Sequence, residues 1–188
     1  MTREITRDQI EKLVDRAKTG DEGSFEKIFE MFFDKIFRYV SFRVAEEESE
    51  DIVSDVFLKV VESLHSYHAR PKVGFNAWIF RIAHNTLIDF YRRKKDFLGL
   101  EDEDSEDFFI QIPDENPLPH EMVNQILTNK RLYEILKKLP PLQREILELK
   151  YLEDMSNSEI SEITGKNEGN IRVIQLRALR EIRKMWEE

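Results

Sequence analysis

Residues 156–177 have the sequence Ser156-Asn-Ser-Glu-Ile-Ser-Glu-Ile-Thr-Gly-Lys-Asn-Glu-Gly-Asn-Ile-Arg-Val-Ile-Gln-Leu-Arg177, which is typical of two helices joined by a tight glycine turn. Ser156 or Ser158 can cap the first helix, and Gly165 can adopt the positive φ angle that such a turn commonly requires. Four isoleucines at helical spacing can pack the two helices together, namely Ile160, Ile163, Ile171 and Ile174. The stretch therefore predicts a helix-turn-helix.

The rest of the chain shows the same helical periodicity, with apolar residues three and four positions apart and no alternating strand pattern. This spacing predicts helices over about 24–40, 49–64, 75–95, 122–139 and 141–151. The sequence therefore predicts an all-α protein.

An acidic segment divides these helices into two groups. Residues 96–129 contain ten Asp and Glu and no Lys or Arg, so this segment carries most of the net charge of −9. Like-charge repulsion opposes compaction, and so do the three prolines within 113–119. We therefore predict two small helical domains, 1–95 and 119–188, joined by a flexible acidic linker over 96–118. An ordinary charged surface loop is the alternative.

Several functional classes are disfavoured by what the sequence lacks. The chain has no cysteine for a disulfide or a thiolate metal site, and no apolar run approaches the roughly 20 residues that span a bilayer. It starts without the apolar stretch of a signal peptide, which favours a cytoplasmic protein without membrane insertion. His65 and His68 have no convincing third ligand, and no P-loop, nucleophile elbow or HExxH pattern occurs. We therefore expect a non-enzyme with no catalytic residues, no metal and no cofactor.

The outer face of the second helix in the helix-turn-helix carries side chains that can recognise base edges in a major groove. The candidate contacts with duplex DNA are Arg144, Lys166, Asn167, Glu168, Asn170, Arg172, Val173 and Arg177. Arg180, Arg183 and Lys184 continue the helix as a basic strip suited to phosphates. A helical hairpin that only packs is the alternative.

A second candidate interface combines aromatic and basic side chains between residues 67 and 93. Aromatic rings stack on unpaired bases with about 1–3 kcal/mol each, and neighbouring cations hold the phosphate backbone. The candidate contacts with single-stranded DNA are Tyr67, His68, Arg70, Lys72, Phe75, Asn76, Trp78, Arg81, Asn85, Arg92 and Arg93. For the rings of Trp78 and Phe90, a role in the core alone is the alternative.

Four motifs, in this order, resemble the bacterial extracytoplasmic-function (ECF) sigma factors, the smallest members of the sigma-70 family. They are Asp51-Ile-Val-Ser-Asp-Val-Phe-Leu-Lys-Val, Phe75-Asn-Ala-Trp-Ile-Phe-Arg-Ile-Ala-His-Asn, Leu139-Pro-Pro-Leu-Gln-Arg-Glu-Ile-Leu and Glu168-Gly-Asn-Ile-Arg-Val-Ile-Gln-Leu-Arg-Ala-Leu. The resemblance implies that the first domain corresponds to sigma region 2, which opens the −10 promoter element and captures an extruded base near residues 67–72. It implies that the second domain corresponds to region 4, which recognises the −35 element as duplex.

The helix over 49–64 carries an acidic face with an exposed leucine, which suits docking on a basic partner helix. The resemblance implies that this face binds the β′ coiled coil of RNA polymerase through Asp51, Ser54, Asp55, Phe57 and Leu58. A merely solvated face is the alternative.

The resemblance also implies three partners: core RNA polymerase, through its β′ coiled coil and β subunit, promoter DNA, and an anti-sigma factor. The predicted function is therefore a sigma factor that directs promoter-specific transcription initiation. An autonomous helix-turn-helix transcription regulator with a helical sensor domain is the main alternative, and a structural helical adaptor is a third.

Overall fold

The computed structural model describes residues 6–98 and 130–187, and all regular elements in these two ranges are helices. They are α1 (Arg7–Lys18), α2 (Glu22–Ser41), α3 (Glu46–Ser63), α4 (Phe75–Leu98), α5 (Lys130–Lys138), α6 (Pro141–Tyr151), α7 (Asn157–Thr164) and α8 (Glu168–Glu187). A 3-10 turn, Leu64–Ser66, follows α3. The prediction of an all-α protein is confirmed for these residues.

Helices α1 to α4 form a bundle in the first half of the structure, residues 6–98. Its interior is made of the apolar residues that the helical spacing places on one side of each helix, such as Ile28, Phe32, Val56 and Ile79. The sequence prediction missed α1, whose buried stripe consists only of Ile10 and Val14. Thr6 caps α1 in a capping box with Gln9, which satisfies backbone N–H groups that have no partner within the helix.

Three predicted helix boundaries differ from the observed ones. Helix α3 begins at Glu46 rather than at residue 49. Helix α2 begins at Glu22 with Asp21 as its cap, because the carboxylate of Asp21 accepts from the backbone N–H of Ser24 at 3.3 Å. Helix α4 continues to Leu98, so the first residues assigned to the linker are helical. The remainder of the predicted linker, the start of the second domain and the predicted helical residues 122–129 lie outside the described residues.

The second half of the structure, residues 130–187, contains the predicted helix-turn-helix. Ser156 and Glu159 form a capping box at the start of α7, and Gly165 ends α7 with a φ angle of 69°. This is the left-handed region, where a residue with a Cβ is strained and glycine is not. Ile160, Ile163 and Ile171 are buried between α7 and α8, as the spacing predicts.

The two halves pack against each other, with α7 lying on α4. One cluster of buried apolar side chains runs through both halves and includes Phe32 and Phe80 from the first half and Ile146, Met155 and Ile160 from the second. A separate, smaller cluster packs Leu147 of α6 and Leu139, which follows α5, against Ala178 of α8. In the described parts of the chain, no helix combines the length and the apolar character needed to cross a membrane.

Candidate nucleic-acid interface

The outer face of α8 is exposed along its first two turns, where most of the predicted duplex contacts lie. Asn167 caps this helix, and its side-chain oxygen accepts from the backbone N–H of Asn170 at 2.9 Å. Arg172 reaches Glu168 at 3.4 Å, one turn back on the same face. The exposed predicted residues are Asn167, Glu168, Asn170, Arg172, Val173 and Arg177, while Lys166 is half-buried. The geometry therefore presents one continuous polar surface of the size that a major groove admits.

Arg144 is the exception among the predicted duplex contacts. It lies buried in α6, which is enclosed between α8 and the first half. The prediction that Arg144 contacts duplex DNA is wrong for this arrangement, because its guanidinium is not at the surface. The helical periodicity of α6 did not reveal this, since both faces of the helix are covered by elements distant in sequence.

An open pocket of about 320 Å³ lies between the loop over residues 67–73 and the first turns of α4. Its lining consists of Ser66, Tyr67, His68, Arg70, Val73, Gly74, Trp78 and Arg81. Five of these eight residues belong to the set predicted to contact single-stranded DNA. The structure thus places these five predicted residues in one concave site.

The aromatic residues of the set are buried, although Tyr67 and Trp78 also line the pocket. Tyr67, Phe75 and Trp78 are buried and contact one another, with ring centroids 5.2–5.3 Å apart. The prediction that Phe75 stacks on a base is wrong for this arrangement, because its ring is enclosed by Phe32 as well as by these two neighbours.

Helix α1 holds the pocket loop in place, which the sequence prediction missed entirely. Arg7 Nη2 donates to the carbonyl oxygen of Arg70 at 2.6 Å, and Lys18 Nζ donates to that of Tyr67 at 2.7 Å. The hydroxyl of Tyr67 donates to the carboxylate of Glu11 at 3.0 Å. Burial, together with this bond, raises the pKa of Tyr67. One face of α1 carries Arg7, Glu11 and Lys18. Their helical spacing is the feature of the sequence from which a shared contact surface could have been predicted.

The basic residues of the set occupy the rim of the pocket and the exposed side of α4. Arg70, Lys72, His68 and Asn85 are exposed, and Arg81 and Asn76 are half-buried. Arg92 and Arg93 lie farther along α4, where Arg92 pairs with Asp89 at 3.3 Å and Arg93 Nε donates to the backbone of Asp89 at 3.3 Å. Cations at the rim with apolar rings beneath are an arrangement suited to a nucleic-acid strand.

The predicted polymerase face on α3 is exposed at four of its five residues. Asp51, Ser54 and Asp55 face solvent, and 57% of the surface of Leu58 is accessible. Phe57 is buried against Phe29, with ring centroids 4.6 Å apart, so the prediction that Phe57 belongs to the docking surface is wrong for this arrangement. A groove beside Leu58 also contains Asp55, Arg92 and Arg93, so this face borders the basic end of α4.

A buried group of polar residues joins the two halves, and the sequence prediction did not include it. Tyr39, Arg43, His84, Glu145 and Glu148 form this group, which we call the interdomain ion cluster. Arg43 Nη2 lies 2.7 Å from Glu148 Oε2, and His84 Nδ1 lies 2.9 Å from Glu145 Oε1. The hydroxyl of Tyr39 donates to Glu145, and the guanidinium of Arg43 lies 3.8 Å from the centroid of the Tyr39 ring.

The charges of this cluster change the protonation behaviour of its members. Burial alone raises the pKa of Glu145, but His84, Arg43 and Tyr39 outweigh burial and lower it to about 2. Burial and the charge of Glu145 raise the pKa of Tyr39, so the phenol stays protonated. The cluster therefore holds Glu145 as an anion at neutral pH.

No group of three or more His, Asp and Glu side chains in residues 6–98 and 130–187 is arranged to hold a metal ion. Three concave sites in these ranges, one at the 67–73 loop and two between α3 and α4, are open and edged by charged side chains, which suits contact with a polyanion or a protein surface.

Comparison with known proteins finds a matching family model for each half of the structure. The family model described as Sigma-70 region 2 matches residues 28–97, and the one described as Sigma-70, region 4 matches residues 129–182. The ECF RNA polymerase sigma factor BldN of Streptomyces coelicolor is 28% identical over 175 residues, which are 93% of this chain and 64% of BldN. The ECF RNA polymerase sigma factor SigW of Bacillus subtilis is 29% identical over 169 residues, which are 87% of this chain and 89% of SigW.

Two solved structures share the fold. CnrH in complex with the cytosolic domain of CnrY is similar with a TM-score of 0.64 and 21% identity, over 93% of this chain and 95% of that chain. The sigma factor RpoE in complex with the anti-sigma factor NepR from Bartonella quintana is similar with a TM-score of 0.62 and 19% identity, over 87% and 96% of the two chains.

Proposed function

Because the chain belongs to the sigma-70 family of RNA polymerase sigma factors, in its ECF branch, we propose that it binds core RNA polymerase and directs transcription initiation at promoters with −10 and −35 elements. The observation that carries this proposal is the order of the two matches, region 2 followed by region 4. An autonomous regulator is not favoured, since a sigma region 2 occupies the place of its sensor domain. Members of this family are transcription initiation factors rather than enzymes, and we propose that this chain likewise catalyses no reaction.

We assign the −10 element to the pocket between the 67–73 loop and α4. A pocket of about 320 Å³ is large enough for one extruded base, and Arg70 and Arg81 stand at its rim, where the phosphates of that strand would pass. Lys72 and Asn85 extend the polar surface on either side. Trp78 lines the pocket and Phe75 packs against Trp78, so we propose that these two buried rings position the site.

We assign the −35 element to α8. Arg172 and Arg177 are exposed on one face and offer donors to guanine edges, and Asn170 offers both a donor and an acceptor. The domains would then be residues 1–98 for the −10 element and the polymerase, and 119–188 for the −35 element.

We assign core polymerase to the exposed face of α3, where Asp51, Asp55 and Leu58 lie together. An acidic surface with an apolar centre fits a basic helix of the β′ coiled coil. We also propose an anti-sigma partner for this chain, because RpoE, which shares its fold, was solved with an anti-sigma factor. The bacterial cytoplasm, where the polymerase works, is the proposed location.

Run-off transcription with core RNA polymerase and a genomic promoter library tests the function. We expect defined transcripts only when the chain is added, and loss of these transcripts with Arg172→Ala/Arg177→Ala. Lys27→Ala/Lys12→Ala removes the same charge from exposed positions on α2 and α1 and serves as the matched control. Specific footprints on duplex DNA by the chain alone, with no transcript in the presence of core enzyme, would contradict the proposal.

A further inference from the structure

The polar side chains that line the pocket between the 67–73 loop and α4 form two pairs with opposite hydrogen-bonding character. The first pair is Arg70 and Arg81, and an arginine can only donate hydrogen bonds. Both guanidinium groups donate to the same oxygen of Glu162, so these two donors lie close to each other. The second pair is Ser66 and His68, which contact each other within the loop.

The ring of His68 has a defined arrangement of donor and acceptor. Its Nδ1 atom lies 2.8 Å from the backbone oxygen of Ser66. A carbonyl oxygen can only accept, so Nδ1 carries the hydrogen, and in the neutral ring Nε2 has an unshared electron pair. Within the part of the chain that the structure describes, Nε2 has no hydrogen-bond partner. His68 therefore brings an unused acceptor to the pocket that it lines.

The hydroxyl group of Ser66 is also committed as a donor. It donates to the backbone oxygen of Ser63 at 2.7 Å, and this bond uses its only hydrogen. The electron pairs of its Oγ atom can still accept. The pair formed by Ser66 and His68 thus offers acceptors to a ligand, whereas the arginine pair offers donors.

Contacts from α1 fix the backbone on both sides of His68. Lys18 Nζ donates to the backbone oxygen of Tyr67 at 2.7 Å, and Arg7 Nη2 donates to that of Arg70 at 2.6 Å. These two oxygens belong to the residue before His68 and to the second residue after it. A group on a fixed backbone loses little freedom when a ligand binds, so its hydrogen bonds contribute to affinity more fully. The acceptor pair is therefore a preorganised part of the pocket.

The four DNA bases differ in the group that such an acceptor would meet. Cytosine and adenine carry an exocyclic amino group, which donates, at the position where thymine and guanine carry a carbonyl oxygen, which accepts. An amino group can donate to Nε2 of His68. A carbonyl oxygen in the same place would face another acceptor, and both would be left without a hydrogen bond.

We propose that His68 is a specificity-determining residue of the pocket, and that its Nε2 atom accepts a hydrogen bond from the exocyclic amino group of an extruded cytosine or adenine. This inference rests on the proposed function of the pocket as the site of an extruded base. Ser66 Oγ, a second acceptor beside His68, favours the same bases. Arg70 and Arg81 hold the phosphates of any strand, and His68 selects the base.

The test measures how short single strands bind to the full chain, alone and in complex with core RNA polymerase. Each fluorescent strand has ten abasic units and one central base, which is cytosine, adenine, thymine, guanine or 2-pyrimidinone. The last of these is cytosine without its amino group. We expect the cytosine strand, the adenine strand or both to bind about threefold to tenfold more tightly than the thymine and 2-pyrimidinone strands, the factor that one neutral hydrogen bond contributes.

Three substitutions assign this preference to one side chain. His68→Phe keeps an aromatic ring without the acceptor, so we expect the affinities for the five strands to agree within about twofold. His68→Gln places an amide oxygen near the position of Nε2 and should restore part of the preference. His65→Phe makes the same change at an exposed residue outside the pocket lining and should keep the wild-type ratio. A purely structural effect would weaken all strands together and leave the ratio unchanged.

The hydrogen position on His68 is measured independently, from long-range proton–nitrogen NMR spectra of its ring. We expect the hydrogen on Nδ1 and none on Nε2, and the opposite tautomer would refute the inference. Equal binding of all five strands, or binding of none, would also refute it, whether or not the chain directs transcription. A preference that His68→Phe abolishes, in a chain that gives no transcript with core enzyme, would refute the proposed function alone.

Discussion

Replacing Arg43 by methionine tests the energetic role of the interdomain ion cluster. Arg43 is buried, donates to Glu148 at 2.7 Å and to the backbone oxygen of Tyr39, and lies 4.0 Å from Glu145. Methionine fills similar space without charge, so the main effect is to leave two buried carboxylates without their shared cation. Breaking a buried ion pair in this way costs about 3–5 kcal/mol. For a chain of this length we expect the melting temperature to fall by roughly 6–20 °C.

The matched variant removes Arg43 together with both carboxylates of the cluster, Glu145 and Glu148. In Arg43→Met/Glu145→Gln/Glu148→Gln no carboxylate is left unpaired, and replacing an entire buried ion cluster is often close to neutral. We therefore expect this triple variant to recover more than half of the stability that the single variant loses. Urea unfolding followed by circular dichroism measures both losses on the same scale.

Two results would refute this reasoning. A loss of less than about 1 kcal/mol in Arg43→Met would mean that the cluster is exposed to water in solution, as surface ion pairs are. A triple variant that is less stable than Arg43→Met would mean that Glu145 and Glu148 stabilise the interface through contacts that do not depend on Arg43.

Three further predictions concern protonation, the glycine turn and the polymerase face. The pKa of Glu145 is about 2 in the folded chain against 4.5 when unperturbed, so its stabilisation is present above pH 4.5 and is lost as the pH falls towards 2. We expect Glu145→Gln to flatten the acid limb of a plot of unfolding free energy against pH, and an unchanged limb would contradict the assignment. Gly165→Ala places a Cβ at a φ of 69° with no atom within 4 Å, so only backbone strain opposes it. We expect a loss of about 1–2 kcal/mol, less for Gly165→Asn, and equal losses would argue against strain as the cause. Leu58→Asp is expected to weaken binding to core polymerase at least about tenfold without changing the melting temperature, whereas Val61→Asp, also exposed on α3, should leave binding intact. Binding is measured with labelled chain and core enzyme, and equal effects of the two variants would count against the proposed face.

Several corrections to the sequence predictions have one physical origin. Phe57, Phe75 and Arg144 were assigned to surfaces and are buried. Phe57 packs against Phe29 of α2, Phe75 against Phe32 of α2, and Arg144 lies in α6, which other helices cover. Periodicity along one helix identifies its most apolar face, but it does not tell whether the opposite face meets water or another helix.

Helix α1 is an element that the sequence prediction missed. Its apolar stripe is too short to stand out, yet Arg7 and Lys18 hold the pocket loop through backbone oxygens 63 and 49 residues away. Gly74 belongs to the same arrangement, because a Cβ there would lie 2.9 Å from Arg7 Nε. The residues next to a glycine in the sequence do not show that a side chain far away in the chain requires the absence of a Cβ there.

What the amino-acid sequence determined by itself is the helical class, the helix-turn-helix with its capping box and glycine turn, and the polar outer face of α8. These features depend on residues within about four positions of one another, so the spacing of the apolar residues and the capping motifs can be recognised directly in the sequence. Only the tertiary structure decided that Glu162 reaches Arg70 and Arg81, and that Glu145 meets Tyr39 and His84, across 61 to 106 residues. Such pairs form because the packing of two apolar surfaces brings them together, and many acidic and basic residues in the chain are equally able to pair. The identity of the partners is therefore a property of the assembled fold.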